Sequence, residues 1–203
     1  MEQIAEARPD EESFMRLCRR AFDEHLVGRP PIHEDSAERE RFKFLQMMKN
    51  AYRLDPQNKV LSAEEEQKVL HAESGVLIRG FPDRVEETSD GRLVIADYKT
   101  GVKVRHVEND INTCLQVVIY AYIMEQKGRP ISHCEYRYLR DGITVSCRYD
   151  EEMKSRLTEK LQTFKKALDT GVFPAEPQGN GCDYCSFADL CEKCGCGNGG
   201  EED

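Results

Sequence analysis

Apolar positions near the N-terminus recur at helical spacing. Phe14, Leu17, Cys18, Ala21, Phe22 and Leu26 predict an amphipathic helix over residues 12–26, stopped by Gly28-Arg-Pro-Pro31. Phe42, Leu45, Met48, Ala51 and Tyr52 mark the inward face of a second helix over 36–54, closed by Asp55-Pro56. Ser62-x-x-Glu65 has the form of a capping box and predicts a short third helix running from Ser62 toward His71. The period then changes. Val76-Leu-Ile78 and Leu93-Val-Ile-Ala96 are short, β-branched apolar runs, and Thr88-Ser-Asp-Gly91 is turn chemistry, so residues 76–99 read as strands closed by a hairpin. A helix over 111–127 follows, with Leu115, Val118, Ile119, Tyr122 and Ile123 as its buried stripe and Gly128-Arg-Pro130 as its stop. Strands 133–139 and 143–149 flank an Asp141-Gly142 turn. A last helix over 151–170 carries Met153, Leu157, Leu161, Phe164 and Leu168 on one face and ends at Gly171. This order predicts an α/β fold with a mixed sheet flanked by helices.

Composition narrows the function. A chain of 203 residues is one domain with at most a small appendage, and residues 1–11 are polar enough to be ill-ordered. A net charge of −9 argues against a sequence-independent nucleic-acid coat. It leaves room for a DNA enzyme, because carboxylates that hold metal are counted as uncompensated. Arg16, Arg19, Arg20, Arg39, Arg41 and Lys43 read as solvated helix faces rather than a phosphate track. No apolar run approaches membrane-spanning length, and Met1 is followed by Glu2 and Glu6 rather than a signal peptide, so a cytoplasmic location is expected. No phosphate-binding Gly-x-x-x-x-Gly-Lys-Ser/Thr loop occurs, so the chain is not itself a helicase. The nine cysteines are odd in number and unevenly spaced, which disfavours a disulfide framework. Cys134 and Cys147, on strands, read as structural thiols. The crowding between Cys182 and Cys196 asks for a metal.

The candidate chemistry sits at the hairpin. Asp97 and Lys99 lie two apart on a strand and share a face, while Tyr98 points to the other. Asp83, on the preceding strand, comes alongside them. Two carboxylates and an ammonium at one strand end are costly to bury without a purpose. A hard divalent cation held by Asp83 and Asp97 supplies one, with Lys99 orienting or activating a water and offsetting charge at phosphorus. Gln116 and Tyr120, four apart on a helix, share a face as well.

Together, Gly80-Phe-Pro-Asp83-Arg84, Asp97-Tyr98-Lys99-Thr-Gly101 and Gln116-x-x-x-Tyr120 resemble the RecB-type branch of the PD-(D/E)XK nuclease superfamily over residues 70–192. The resemblance implies a restriction-endonuclease-like core and a Mg²⁺- or Mn²⁺-dependent deoxyribonuclease, exonuclease rather than endonuclease, acting on single-stranded DNA or DNA ends. It implies a metal held by Asp83, Asp97, the Tyr98 carbonyl and either His71 or Glu73, with Lys99, Gln116 and Tyr120 around the scissile phosphate. Cys182-x-x-Cys185-x-x-x-x-x-Cys191 resembles the C-terminal triplet of RecB-type nucleases that carry an iron–sulfur cluster, namely AddB-like helicase-nuclease subunits and a CRISPR-associated adaptation nuclease. That implies a [4Fe-4S] cluster with Cys18 as fourth ligand. Cys194 or Cys196 can take that place, and zinc accepts the same thiolates. The implied organisation is a helical segment 1–70, a nuclease core 71–175, a cysteine segment 176–196 packed on the core, and a disordered tail 197–203. DNA is the implied partner, with a helicase or a CRISPR integrase in trans, in repair, recombination or adaptation. The rival reading is a catalytically silent DNA-end-binding or partner-binding module, against which the intact Asp83, Asp97 and Lys99 set weighs.

Overall fold

The computed structural model describes residues 8–26, 34–103, 110–175, 182 and 184–191. Two units divide the chain, residues 1–161 and 162–203. The first begins with helices α1 (Glu11–Leu26) and α2 (Glu34–Leu54), continues through strands β1 (Lys59–Ser62), β2 (Gln67–Leu70), β3 (Leu77–Gly80), β4 (Arg84–Glu87) and β5 (Leu93–Lys99), and then forms α3 (Ile111–Gln126), β6 (Ile131–Tyr138) and β7 (Ile143–Cys147). Helix α4 (Glu151–Thr170) follows. The second unit includes a 3-10 turn at Ala188–Leu190. Among the described residues, no helix is long and apolar enough to cross a membrane.

Five strands form one sheet in the order β1-β4-β5-β6-β7, and β2 pairs with β3 separately. Only β5 and β6 run parallel, so the sheet is mixed, as the order of apolar runs implies. A parallel pair needs a long crossover, and α3 supplies it. Leu93 to Ala96 are buried on both faces because β5 is the central strand. Val85, Leu93 and Ile95 of the sheet, Val117 and Ala121 of α3, and Met153 and Leu157 of α4 share one core.

The third helix does not form. Residues 59–62 and 67–70 are strands: Lys59 and Val60 pair with Glu87 and Glu86, and Lys68 and Leu70 pair with Arg79 and Leu77. Glu64 stands at φ 53° and donates its N–H to the Pro82 carbonyl at 2.9 Å, which turns the capping-box stretch into a connection between strands. Leu61 and Val69 pack on the core, and that pairing overrides local helix preference. The face of α3 also differs. Cys114, Val117, Val118, Tyr120 and Ala121 are buried, whereas Leu115, Ile119 and Tyr122 are only partly so. The helix packs on β5 and β6 and on β2 and β3, and a helix covered on two sides shows no single stripe.

In α2, Phe42 is exposed and Phe44 instead meets Phe22 of α1 at 5.2 Å between ring centroids. Phe164 and Leu168 of α4 are likewise exposed, unlike Met153, Leu157 and Leu161. The N-terminal cations are largely paired along their own helices: Arg16 with Glu12, Arg20 with Glu24, Lys43 with Glu40, and Arg41 with Asp23 across to α1.

Candidate active site

The β4–β5 hairpin carries the site. Gly91, at φ 79°, closes the turn and donates to the Thr88 carbonyl at 2.9 Å, a conformation that glycine adopts without steric cost. The register that follows sets Arg84 opposite Ala96, so Asp83, in the bend just before β4, comes beside Asp97. The Tyr98 N–H donates to Asp83 Oδ2 at 2.8 Å and ties the bend to the strand end. Asp97 and Lys99 share the face covered by α3, and Lys99 Nζ lies 2.7 Å from Asp97 Oδ2.

Helix α3 brings Gln116 and Tyr120 to the same point. Lys99 Nζ donates to Gln116 Oε1 at 2.8 Å, while Gln116 Nε2 donates to Asp97 Oδ1 at 2.7 Å and to the Tyr120 hydroxyl at 3.1 Å. The amide thus has one orientation that suits both neighbours: its carbonyl meets the ammonium and its NH₂ meets the carboxylate. Asp97 is 2% exposed, and its Oδ2 is a buried oxygen without a hydrogen bond, in contact with the ammonium alone of the described ion-pair partners. Burial raises its carboxyl above the ordinary range; the Lys99 contact pulls it down and the Asp83 charge pushes it up, leaving a net rise.

That donor set fits a hard divalent cation. Mg²⁺ and its like take one or two carboxylates and complete their shell with water and phosphate oxygens. Asp97 Oδ2, which has the Lys99 ammonium beside it but no hydrogen bond, and the oxygen of Asp83 not bonded to Tyr98 are the atoms that would meet it. Among the described residues, no group of three or more His, Cys, Asp or Glu side chains is gathered as a metal cage. His71 and Glu73 stand in the turn that follows β2. His71 is buried, its Nδ1 accepts from the Ser74 N–H at 3.2 Å, its Nε2 faces Thr158 Oγ1 at 3.3 Å, and its ring meets Tyr122 at 5.2 Å. Both ring nitrogens of His71 thus have polar partners within the protein, Ser74 at Nδ1 and Thr158 at Nε2. Glu73 lies exposed in the turn beyond.

Three neighbours escaped the sequence reading. Gly80 lies directly under Tyr120: a Cβ there would stand 2.3 Å from the Tyr120 ring, so only glycine admits the ring. Tyr136 carries the Lys99 ammonium 5.0 Å from its ring centroid and donates its hydroxyl to the Thr113 carbonyl at 3.0 Å. The parallel register that sets it beside Asp97 is written in no local pattern. Arg79 reaches the same groove, a concavity of about 650 Å³ into which Lys99, Gln116, Tyr120, Tyr136 and Tyr138 face.

In the second unit, Cys182, Cys185 and Cys191 are half-buried, exposed and half-buried in turn. The Cys185 N–H donates to the Cys182 carbonyl at 3.1 Å, as in a tight turn. Cys194 and Cys196 lie outside the described residues, as do the tail 197–203 and most of the first eleven positions. Cys134 and Cys147 are buried and directly opposed on β6 and β7, in the place expected for structural thiols.

No curated protein matches the chain. A solved structure described as "Crystal structure of SSO0001" aligns over 89% of this chain and 95% of its own, at 15% identity and a TM-score of 0.46. A family profile of PD-(D/E)XK nucleases matches residues 1–192, across the hairpin, Gln116 and Tyr120. The mixed sheet flanked by helices agrees with that core, and the chain belongs to the PD-(D/E)XK nuclease superfamily.

Proposed function

We propose that the chain is a Mg²⁺- or Mn²⁺-dependent deoxyribonuclease, an exonuclease acting on single-stranded DNA or DNA ends. Members of its superfamily are generally metal-dependent nucleases. The observation that carries the reading to this chain is the convergence of Asp97 with Lys99 and Gln116, which line one groove, and of Asp83 with the peptide between Asp97 and Lys99. Asp83 and Asp97 would hold the cation, with the Tyr98 carbonyl beside them. Bound there, a divalent cation supplies charge to the phosphate and lowers the pKa of its water. Lys99 changes partners between Asp97 and a water or phosphate oxygen, and offsets negative charge as it grows on phosphorus. Gln116 holds the ammonium and the carboxylate at fixed separation, and Tyr120 fixes Gln116. Tyr136, Tyr138 and Ile119 make the groove aromatic and apolar, which suits unpaired bases more than a smooth duplex backbone.

In the same reading Cys182, Cys185 and Cys191 hold a structural [4Fe-4S] cluster. The Cys-x-x-Cys-x-x-x-x-x-Cys spacing fits either a cluster or zinc, and the fourth thiolate is Cys18, Cys194 or Cys196. A cytoplasmic location and a helicase or CRISPR integrase acting in trans complete the picture, in repair, recombination or adaptation.

The test is a Mn²⁺ and Mg²⁺ titration of cleavage on end-labelled single-stranded DNA, duplex DNA and RNA, with wild type and Lys99→Ala. The variant is expected to fold and to lose about 10²–10³-fold in rate, as for a deleted charge-stabilising donor. Undiminished cutting by Lys99→Ala sinks the mechanism, and metal-independent silence of the wild type favours a binding module instead. Iron and zinc analysis of anaerobically purified wild type and Cys18→Ala decides between cluster and zinc and identifies the fourth ligand.

A further inference from the structure

The sheet face opposite the groove carries charges that the chemistry above leaves unused. Arg137 of β6 and Glu86 of β4 are both fully buried, at 0% exposure. Arg137 grips Glu86 with two bonds, Nη1 to Oε1 at 2.8 Å and Nη2 to Oε2 at 3.1 Å, and donates from Nε to Glu135 Oε1 at 2.7 Å. Arg84 stands on the other side of Glu86, its Nε 2.5 Å from Oε1, and reaches Asp55 at the end of α2 at 3.1 Å. The Tyr98 hydroxyl lies between the two guanidiniums, 3.4 Å from Arg84 Nη1 and 3.5 Å from Arg137 Nη1.

The place of these residues in the chain matters more than their number. Side chains alternate across a strand, so Arg84, Glu86 and Tyr98 lie on the face away from the groove while Asp97 and Lys99, on either side of Tyr98, lie on the face of the site. Arg84 follows Asp83 directly. Tyr98 separates Asp97 from Lys99, and its own N–H is the donor that holds Asp83. Immobilising Arg84 and Tyr98 from behind therefore immobilises the peptide units that present both carboxylates. Apolar side chains of similar size would fill this space at lower desolvation cost, so the pair is poorly explained as a stabiliser. It does specify register: slipping β4 by one residue would turn Glu86 away from Arg137 and Asp83 away from Asp97 together.

We propose that the buried Glu86–Arg137 pair, acting through Arg84 and the Tyr98 hydroxyl, sets the separation of Asp83 and Asp97, which makes Glu86, Arg137 and Tyr98 positioning residues for the cation site. The role of the two carboxylates rests on the nuclease reading; the mechanical role of the pair does not. Two variants of the full chain test it. Glu86→Leu/Arg137→Leu removes both charges and leaves Arg84 with Asp55, and Glu135 with His133, which lies 3.2 Å away. Tyr98→Phe keeps the pair and removes only the hydroxyl, so it stays informative if the double variant fails to fold.

The first readout is hydrogen exchange of the residue-98 amide by NMR in metal-free buffer, with the Ile95 amide as internal reference. Exchange at residue 98 is expected to quicken about tenfold in both variants while Ile95 is unmoved, as for local opening of one end of a strand. The second readout is Mn²⁺ affinity by water-proton relaxation, which should fall about 10-fold, the low end for partners behind a ligand shell. A folded Tyr98→Phe whose residue-98 amide exchanges at the wild-type rate and whose Mn²⁺ affinity is unchanged overturns the proposal. Wild type that binds no Mn²⁺ and cuts nothing would overturn the nuclease reading instead, since the exchange measurement needs neither metal nor DNA.

Discussion

Burial is the largest influence on the Asp97 carboxyl, and the net shift is upward from 3.8. The native state thus holds this proton more tightly than the unfolded chain does. The resulting cost of ionised Asp97 is absent below the unfolded value, grows as pH rises from there to the raised native value, and is present in full at neutral pH. Metal-free Asp97→Asn should therefore melt above metal-free wild type at neutral pH, by about 2–4 °C for each kcal/mol recovered in a chain of this size. The gain should vanish near pH 3. Saturating Mn²⁺ should reverse the order, because a cation at 100 times its Kd adds about 2.7 kcal/mol to the state that binds it. Thermal unfolding of both proteins in chelator and in Mn²⁺ checks this, and a variant that still gains stability from Mn²⁺ would show that Asp97 is not a ligand. Gly80 gives a second residue-level prediction. Its backbone is not in the left-handed region, so the cost of Gly80→Ala is the collision with Tyr120 at 2.3 Å. About 1–3 kcal/mol of stability should be lost, as in other overpacked sites, together with activity, because Tyr120 is what steadies Gln116. In a Tyr120→Leu background the same change should cost less stability and restore no activity, a coupling that denaturant titration of the four proteins measures.

At the scale of elements, the parts legible in the sequence are those with local causes. Asp90-Gly91 writes its own turn, and strand alternation alone puts Asp97 with Lys99 and apart from Tyr98. Helical spacing of four was enough to bring Gln116 and Tyr120 together, although nothing in it says that Gln116 bridges Lys99 to Asp97. What was illegible depends on partners far along the chain. Val60-Leu61 and Val69-Leu70 become strands because Glu86-Glu87 and Leu77-Ile78 are there to pair with them, and the Ser62-x-x-Glu65 pattern yields. The resemblance implies His71 or Glu73 as a further ligand of the metal; both follow a strand rather than a helix, and the His71 ring packs beside Tyr122 and Thr158. The turn that replaces the helix leaves a testable mark. Glu64 holds φ 53° while exposed, a conformation that costs a residue with a Cβ about 1–2 kcal/mol and glycine little. After the larger unfolded-state entropy of glycine is subtracted, Glu64→Gly should gain about 0.5 kcal/mol in urea unfolding, with the hydrogen bond to Pro82 kept. A loss would mean that the Glu64 side chain contributes more than its backbone costs.

For the whole molecule, the question is how a chain with net charge −9 holds a polyanion. The N-terminal cations do not answer it, because Arg16, Arg20, Arg41 and Lys43 are engaged by acidic neighbours. Arg79 and Lys99 are the cations that line the groove; Lys99 already faces Asp97, and Arg79 has only the loose, exposed contact with Glu66 at 3.8 Å. On the proposed reading, Asp83 and Asp97 would hold a cation that offsets their charge, leaving Lys99 able to turn to the phosphate. Binding should therefore be metal-dependent and only weakly salt-dependent. For single strands the logarithm of affinity falls by about 0.7 per logarithm of salt for each phosphate neutralised, so two groove cations predict a slope near −1.4. Fluorescence anisotropy of wild type on labelled single-stranded DNA with a cleavage-resistant backbone, in chelator and in Mn²⁺, measures it, and Lys99→Ala gives the comparison. With Lys99 gone the slope should drop toward −0.7, the value for Arg79 alone. A slope several times steeper would place most of the phosphate contacts outside the groove, on the helices whose arginines are here spent on their neighbours, and would make the groove a catalytic mouth fed by a separate track.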